Sequence, residues 1–281
     1  MRLSIITVNL NNKAGLERTL QSVFEQTYRD LESIVVDGLS TDGSRDVLAA
    51  FQGQIHKWVS EKDTGIFNAM NKGIRMAEGE YLLFLNSGDN FFSPDALAKV
   101  LRHPLTEDFV VCDIELVKQG GRELRALNQN PRDILILGEI FHQAVFHRKS
   151  VFDRCGLYDE DFPLMADYEL FLRAFFRSGC TCQSIHETLA EYDHIYGMSS
   201  DIRNVQRYHA ERRKAQRKNF DPELVAALET QHLQIEGLLQ TKSKYDGLLQ
   251  SKTVKMALAG SAMLRRVRQL LGCKTPGRSV A

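Results

Sequence analysis

Gly79-Glu80-Tyr81-Leu82-Leu83-Phe84-Leu85-Asn86-Ser87-Gly88-Asp89 is the stretch that decides the fold. Tyr81 to Leu85 is an uninterrupted apolar run, long enough for a strand and too short for a helix or a membrane span. The turn-forming residues Asn86 to Asp89 end it. Upstream, the same unit recurs. Leu3 to Val8 reads as a first strand, and Leu16, Leu20, Val23 and Phe24 fall at i, i+4, i+7 and i+8, one face of a helix. Leu31 to Val36 is a second strand, followed by a helix through Val47, Leu48 and Phe51 that Ser44 could cap. His56 to Val59 is a third, and Ile66, Phe67, Met70 and Ile74 mark the helix that leads into Tyr81. This alternation predicts an α/β fold with a mostly parallel, Rossmann-like sheet and helices on both faces. Ligands bind such sheets at the carboxyl ends of the strands, so the residues just after each strand matter most.

Downstream, residues 109–127 read as shorter strands around a Gly120-Gly121 turn. Asp167 opens a helix with Tyr168, Phe171, Leu172 and Phe175 on its inner face, and Thr181 to Tyr192 reads as a late strand. Past Ser200 the chain turns helical and basic. The expected organisation is a catalytic domain over 1–200, with halves at about 1–105 and 106–200, and a helical extension over 201–281. Residues 201–281 carry 16 Lys+Arg against 7 Asp+Glu, and residues 1–200 carry 20 against 29, so the zero net charge conceals an acidic domain and a basic tail. With 43% hydrophobic and 26% charged residues among 281, the composition excludes disordered and collagen-like chains. Five scattered cysteines, of which only Cys180 and Cys182 lie close together, predict reduced thiols and a cytoplasmic setting. The first residues lack the long apolar run of a secretory signal.

Four polar clusters follow the four strands: Thr7, Asn9 and Asn11; Asp37-Gly38-Leu39-Ser40-Thr41-Asp42-Gly43; Glu61-Lys62-Asp63-Thr64-Gly65; and Asn86-Ser87-Gly88-Asp89. Each alone could be turn chemistry, but four at one sheet edge exceed what turns require. With Asp63-x-Gly65-Ile66-x-x-Ala69-x-Asn71-Lys72-Gly73 and Met165-Ala166-Asp167-Tyr168-Glu169-Leu170, they resemble family 2 glycosyltransferases of the GT-A fold. Among these the nearest in character are bacterial O-antigen, colanic-acid and exopolysaccharide enzymes. The resemblance covers roughly residues 1–200. No G-x-G-x-x-G follows the first strand, which excludes the dinucleotide-binding alternative.

The resemblance implies an inverting transfer of a sugar from a nucleotide diphosphate donor to a glycan or lipid-linked glycan. Charge growing on the leaving diphosphate calls for a divalent cation, Mn²⁺ or Mg²⁺, held by hard oxygens. Asp89 is the expected metal ligand. The family pattern D-x-D carries more acid here, whereas this chain has Asn86 and Gly88, so Asn86 is read as binding ribose or a metal-bound water. Asp37 resembles the residue that meets the nucleotide base, with Thr7 and Asn9 in the same pocket and Ser87 beside it. UDP is favoured, with GDP and dTDP open. Asp63 and Lys72 are read as contacts to ribose, phosphate or donor sugar, or alternatively as a loop brace. His142-Gln143 resembles a pair placed near the diphosphate and acceptor, and His194 with residues 196–200 a closing loop. Asp167 matches the catalytic position and is the expected general base, since single displacement needs a carboxylate at the acceptor hydroxyl. Its bland reading is a helix N-cap.

Residues 254–271 combine Val254, Met256, Leu258, Met263 and Leu264 with Lys255, Arg265, Arg266 and Arg268, a basic amphipathic helix suited to an anionic membrane surface. The enzyme would then sit peripherally on the inner face of the cell membrane. Leu228, Ile235, Leu238, Tyr245 and Leu249 loosely follow heptads that a homodimer would use. Basic residues are not interleaved with stacking aromatics, so nucleic acid is not an expected partner. Two rivals stand beside this reading. A sugar nucleotidyltransferase usually has a glycine-rich loop after the first strand, absent from Asn9-Leu10-Asn11-Asn12. A non-catalytic nucleotide-sugar-binding module draws only on the thinned metal motif.

Overall fold

The computed structural model describes residues 3–118, 120–126, 131–138, 140–193 and 202–230. His194, the 196–200 loop, the 254–271 segment and the heptad positions from Ile235 onward lie outside the described residues. The chain runs β1 (Leu3–Asn9), α1 (Lys13–Phe24), β2 (Leu31–Asp37), α2 (Ser44–Ala50), β3 (Lys57–Ser60), α3 (Ile66–Met76) and β4 (Tyr81–Phe84). It continues through β5 (Asn90–Phe91), α4 (Ala96–Val100), β6 (Phe109–Lys118), β7 (Gly121–Arg125) and α5 (Pro131–Leu137). A single 3₁₀ turn (His142–Ala144) then leads to β8 (Val145–Arg148), α6 (Ser150–Cys155), α7 (Ala166–Leu172), β9 (Cys182–Asp193) and α8 (Val205–Asn219).

Among the described residues nine strands form one sheet in the order β3-β2-β1-β4-β8-β6-β9-β5, with β7 paired to β6. The first four are parallel, as their apolar runs predict, and every residue of β1 and β4 is buried. The second half is mixed: β8 runs antiparallel to both β4 and β6, while β9 runs parallel to β6. Strand order reverses between β1 and β4, and the crevice at that switch point is where open α/β sheets bind ligands. Helix α3 can lie close over β1 because residue 73 is glycine. A Cβ there would stand 2.4 Å from the Ile6 methyl, a clash the packed core cannot absorb.

The compact unit extends to Phe220, past the boundary expected at residue 200. Helix α8 belongs to it because its polar groups are used there. Glu211 accepts the backbone N–H groups of Leu164 (2.8 Å) and Met165 (3.1 Å), Gln216 donates to the Tyr168 hydroxyl (3.1 Å), and the Arg212 guanidinium lies 4.6 Å from the Tyr168 ring centre. Part of the basic run at 203–218 is therefore spent inside the catalytic unit. Residues 222–230, in the second unit, are helical. Among the described residues no helix is long and apolar enough to cross a membrane.

His147 on β8 is wholly buried, with the Phe152 and Phe171 ring centres 5.9 and 5.7 Å from its own. Burial, reinforced by the neighbouring His142, pushes its pKa down to about 3 from the ordinary 6.5. The unfolded chain therefore takes up this proton first, and stability complete above pH 6.5 is lost as pH falls toward 3. The expected slope is up to about 1.4 kcal/mol per pH unit. Thermal melts stepped from pH 7 to 4 should fall more steeply for the native chain than for His147→Phe; parallel slopes would refute the assignment.

Candidate active site

The parallel register aligns the last residues of three strands: Asn9 of β1 opposite Asp37 of β2, and Asp37 opposite Ser60 of β3. Their side chains bond along this row. Asn9 donates through Nδ2 to Asp37 Oδ1 (2.8 Å) and Ser40 Oγ (3.1 Å), and Ser60 donates to Asp37 Oδ2 (2.6 Å), which also accepts the Ser40 N–H (3.0 Å). Burial would raise the Asp37 pKa, but these bonds from Ser40, Ser60 and Asn9 outweigh it and hold the carboxyl below its ordinary value. Asp37 has no exposed surface. Both of its oxygens are taken, so it braces the loop after β2. Leu39 in that loop and Asn11 in the loop after β1 hold positive φ (63° and 49°), and Asn11 accepts the Thr41 N–H at 2.8 Å, tying the two loops together. Thr7 is buried within β1 behind this row.

The loop after β4 is clamped to β1 and α1. Ser87 donates to Asn9 Oδ1 (2.8 Å), Asn12 donates to the Ser87 carbonyl (2.9 Å) while capping α1, and Thr19 donates to the Asp89 carbonyl (2.7 Å) and accepts the Gly88 N–H (3.0 Å). Gly88 has φ +111°, a backbone conformation that an acidic side chain would strain, which accounts for glycine at this place in the motif. Asp89 is 6% exposed. It caps no helix, since α4 starts after Asp95. Ser44 likewise sits inside α2, and its N–H is taken by Asp42 (3.0 Å).

Asn86 Nδ2 lies 3.2 Å from His142 Nε2, and His142 Nδ1 lies 3.0 Å from Asp167 Oδ2. Donation from the Asn86 amide to Nε2 leaves the imidazole proton on Nδ1, pointing at the carboxylate. The end of the central strand and the second-half carboxylate, distant in sequence, are thus joined by one histidine. Asp167 lies in the first turn of α7, whose N-cap is Met165, so the capping reading does not hold. The N–H groups of Leu164 and of Met165, just before that turn, are accepted by Glu211 of α8. Beside Asp167 opens a hollow of about 240 Å³, lined among others by Phe141, His142, Gln143, Tyr168, Tyr192 and Tyr208.

Asp63 and Lys72 are brought together as an ion pair, and Lys72 also holds Glu61 (2.8 Å) and the Lys62 carbonyl (3.0 Å). Burial would lower the Lys72 pKa, but the bonds to Asp63 and Glu61 keep it raised. Asp63 Oδ2 sits where a side chain on Gly38 would stand, 3.1 Å from a Cβ built there. Asn71 of the same motif fastens the loop before α7, bonding the Tyr158 backbone N–H and carbonyl (3.0 Å each).

A sequence model described as glycosyl transferase family 2 matches residues 4–158, more than half of the chain. The chain belongs to glycosyl transferase family 2. It is 31% identical over 205 residues to a PGL/p-HBAD biosynthesis glycosyltransferase of Mycobacterium bovis, covering 71% of this chain and 79% of that one. To a putative teichuronic acid biosynthesis glycosyltransferase of Bacillus subtilis it is 28% identical, over 68% of this chain and 78% of the other. The fold matches Staphylococcus aureus TarS residues 1–349 in complex with UDP-GlcNAc (TM-score 0.60, 16% identity, 94% and 78% of the chains). It also matches the mannosyltransferase PcManGT of Pyrobaculum calidifontis in complex with GDP-Man and Mn²⁺ (TM-score 0.58, 17%, 97% and 88%). Against a longer TarS chain of the same organism the match covers 46% of that chain. This family 2 glycosyltransferase has the expected GT-A architecture.

Several residues that brace this arrangement escape a reading of motifs. Ser60 is an ordinary strand-end residue until the register shows that it meets Asp37. Thr19 lies on a helix face otherwise read as core, and Glu211 belongs to a helix assigned to the tail. Only pairing across the sheet, or packing of α8, could have singled them out.

Proposed function

We propose that this glycosyltransferase transfers a sugar, with inversion, from a nucleoside diphosphate donor to a surface-glycan acceptor. The observation that carries the reading is the bonded line from Asn86 through His142 to Asp167, which connects the two halves of the sheet beside an open hollow. UDP is the favoured nucleotide and GDP or dTDP the alternatives. The UDP-GlcNAc and GDP-Man complexes of the structural neighbours support a nucleotide sugar in general.

In this reading the donor lies over the Asn9–Asp37–Ser60 row. Asp37 acts on the base through the loop it braces, with Thr7, Asn9 and Ser87 forming the floor and Asp63 and Lys72 facing ribose and phosphate. The residues after β4 fit a divalent cation, Mn²⁺ or Mg²⁺. Asp89 offers a carboxylate, and the buried Asn86 amide oxygen has no hydrogen-bond partner. Among the described residues no three His, Cys, Asp or Glu gather into a cage, a sparse donor set that donor phosphates and water would complete. When bound, such a cation draws off charge from the leaving diphosphate. Asp167 takes the proton of the acceptor hydroxyl as that oxygen forms its bond to the anomeric carbon. The anomeric C–O bond breaks on the opposite side, its electron pair leaving with the diphosphate. His142 fixes the Asp167 carboxylate toward the acceptor and keeps its other nitrogen at the strand end. The 254–271 segment would hold the enzyme on the inner membrane face, near a lipid-linked acceptor, and the heptad positions would serve a homodimer.

Asp89→Ala is expected to weaken UDP binding in Mn²⁺ by at least about tenfold and to abolish the gain in affinity that Mn²⁺ confers. Titration calorimetry with and without the ion measures both. Undiminished Mn²⁺-dependent affinity would remove Asp89 from the metal site. NMR of the product's anomeric carbon tests inversion directly.

A further inference from the structure

Helix α8 lies beyond the 4–158 segment that the family shares, yet it walls the hollow beside Asp167. Val205, Tyr208 and His209 contribute from this helix, facing Phe141, Tyr168 and Tyr192. We propose that α8 is the acceptor-selecting element, and that the hollow it closes takes the ring of a neutral sugar. This rests on the reading of Asp167 as the base.

Three observations point to that chemistry. The lining is rich in aromatic rings, whose faces suit the apolar C–H face of a pyranose, and Phe141 and Tyr192 already lie with ring centres 5.9 Å apart. Gln143, 4% exposed and part of the same wall, has a buried Oε1 with no hydrogen-bond partner. Such an acceptor is costly to leave unmatched, and a ligand hydroxyl would satisfy it. Among the described residues the lining contains no Lys or Arg, and its carboxylate is Asp167. The Arg212 guanidinium of the same helix is engaged over the Tyr168 ring and with the Gly138 carbonyl (2.7 Å). A hexuronate or a sugar phosphate placed here would meet the Asp167 charge with no Lys or Arg among the described lining residues to offset it. The site therefore discriminates by charge against acidic sugars and by shape for one flat ring with hydroxyls at its edge. Because Val205, Tyr208 and His209 share one helix, changes on that helix can alter the acceptor while the donor row and base stay in place.

The test compares neutral pyranosides, the corresponding hexuronates and simple phenols as acceptors, reading nucleoside diphosphate release above hydrolysis. Neutral pyranosides should be glycosylated and hexuronates turned over at least about tenfold less efficiently. Tyr208→Ala should raise the acceptor KM about tenfold with the nucleotide Kd unchanged, and Tyr208→Phe should restore most of it. Val205→Trp, which fills the hollow, should abolish use of pyranosides in a protein that still binds UDP. Preference for a hexuronate or a phenol, or an acceptor KM indifferent to both Tyr208→Ala and Val205→Trp, overturns the proposal. Full turnover by Asp167→Asn would instead overturn the underlying assignment of the base.

Discussion

Asp167→Asn should lower kcat by about 10²–10⁴-fold, the range that a positioned general base supplies, and leave UDP affinity in Mn²⁺ within about twofold of the native value. The contrast follows from the geometry. Asparagine keeps an oxygen that can accept the Tyr168 N–H, held at 2.8 Å by Asp167 Oδ1, and the helix start remains fixed from α8 by Glu211. What disappears is the capacity to take a proton. His142→Ala should give a smaller fall in kcat, because it frees the carboxylate from its 3.0 Å contact without removing it. Single-turnover rates separate the chemical step from product release. An Asp167→Asn enzyme with near-native single-turnover rates would show that another group receives the acceptor proton.

The fold was largely legible because its signals were local. Tyr81–Phe84 and Leu3–Asn9 are apolar runs with glycine and asparagine at their ends, and burial on both faces needs little else. Less could be read where a role depends on register or on remote packing. Asp37 looked like a free carboxylate at a strand end, yet parallel pairing sets Asn9 and Ser60 beside it and consumes both oxygens. Asn86 looked like a lost acid in a metal motif. Its amide instead reaches His142, a contact between residues more than fifty positions apart that no spacing rule encodes. The break at residue 200 was a composition boundary, and composition does not report that Glu211, Gln216 and Asn219 turn inward.

The last of those contacts carries the second large effect. Glu169 has no exposed surface, and three partners converge on it: Arg173 through Nε (3.2 Å) and Nη2 (2.9 Å), Lys218 of α8 (2.8 Å) and Asn219 (3.3 Å). Burial alone would raise its pKa, and Arg173 and Lys218 outweigh that and hold it below the ordinary glutamate value. The carboxylate is therefore charged, and its stabilisation is present above the unfolded pKa near 4.5 and lost as pH falls below it. Glu169→Ala leaves two cations facing one another without their shared anion, a change that costs roughly 3–5 kcal/mol in comparable buried pairs. Part of the loss is offset because Arg173 also donates to the carbonyls of Cys155 and Leu157 and Lys218 pairs with Asp159, so the lower end of that range is expected. Denaturant unfolding at pH 7 should show it as a shift in midpoint, and the deficit should shrink at pH 4. Glu169→Gln, which keeps one accepting oxygen and loses the charge, should fall between. Since α7 carries Asp167 and α8 walls the hollow, Glu169→Ala should also raise the acceptor KM at temperatures where the protein remains folded. A variant that unfolds at the native midpoint would mean that α8 contributes no stability through this contact.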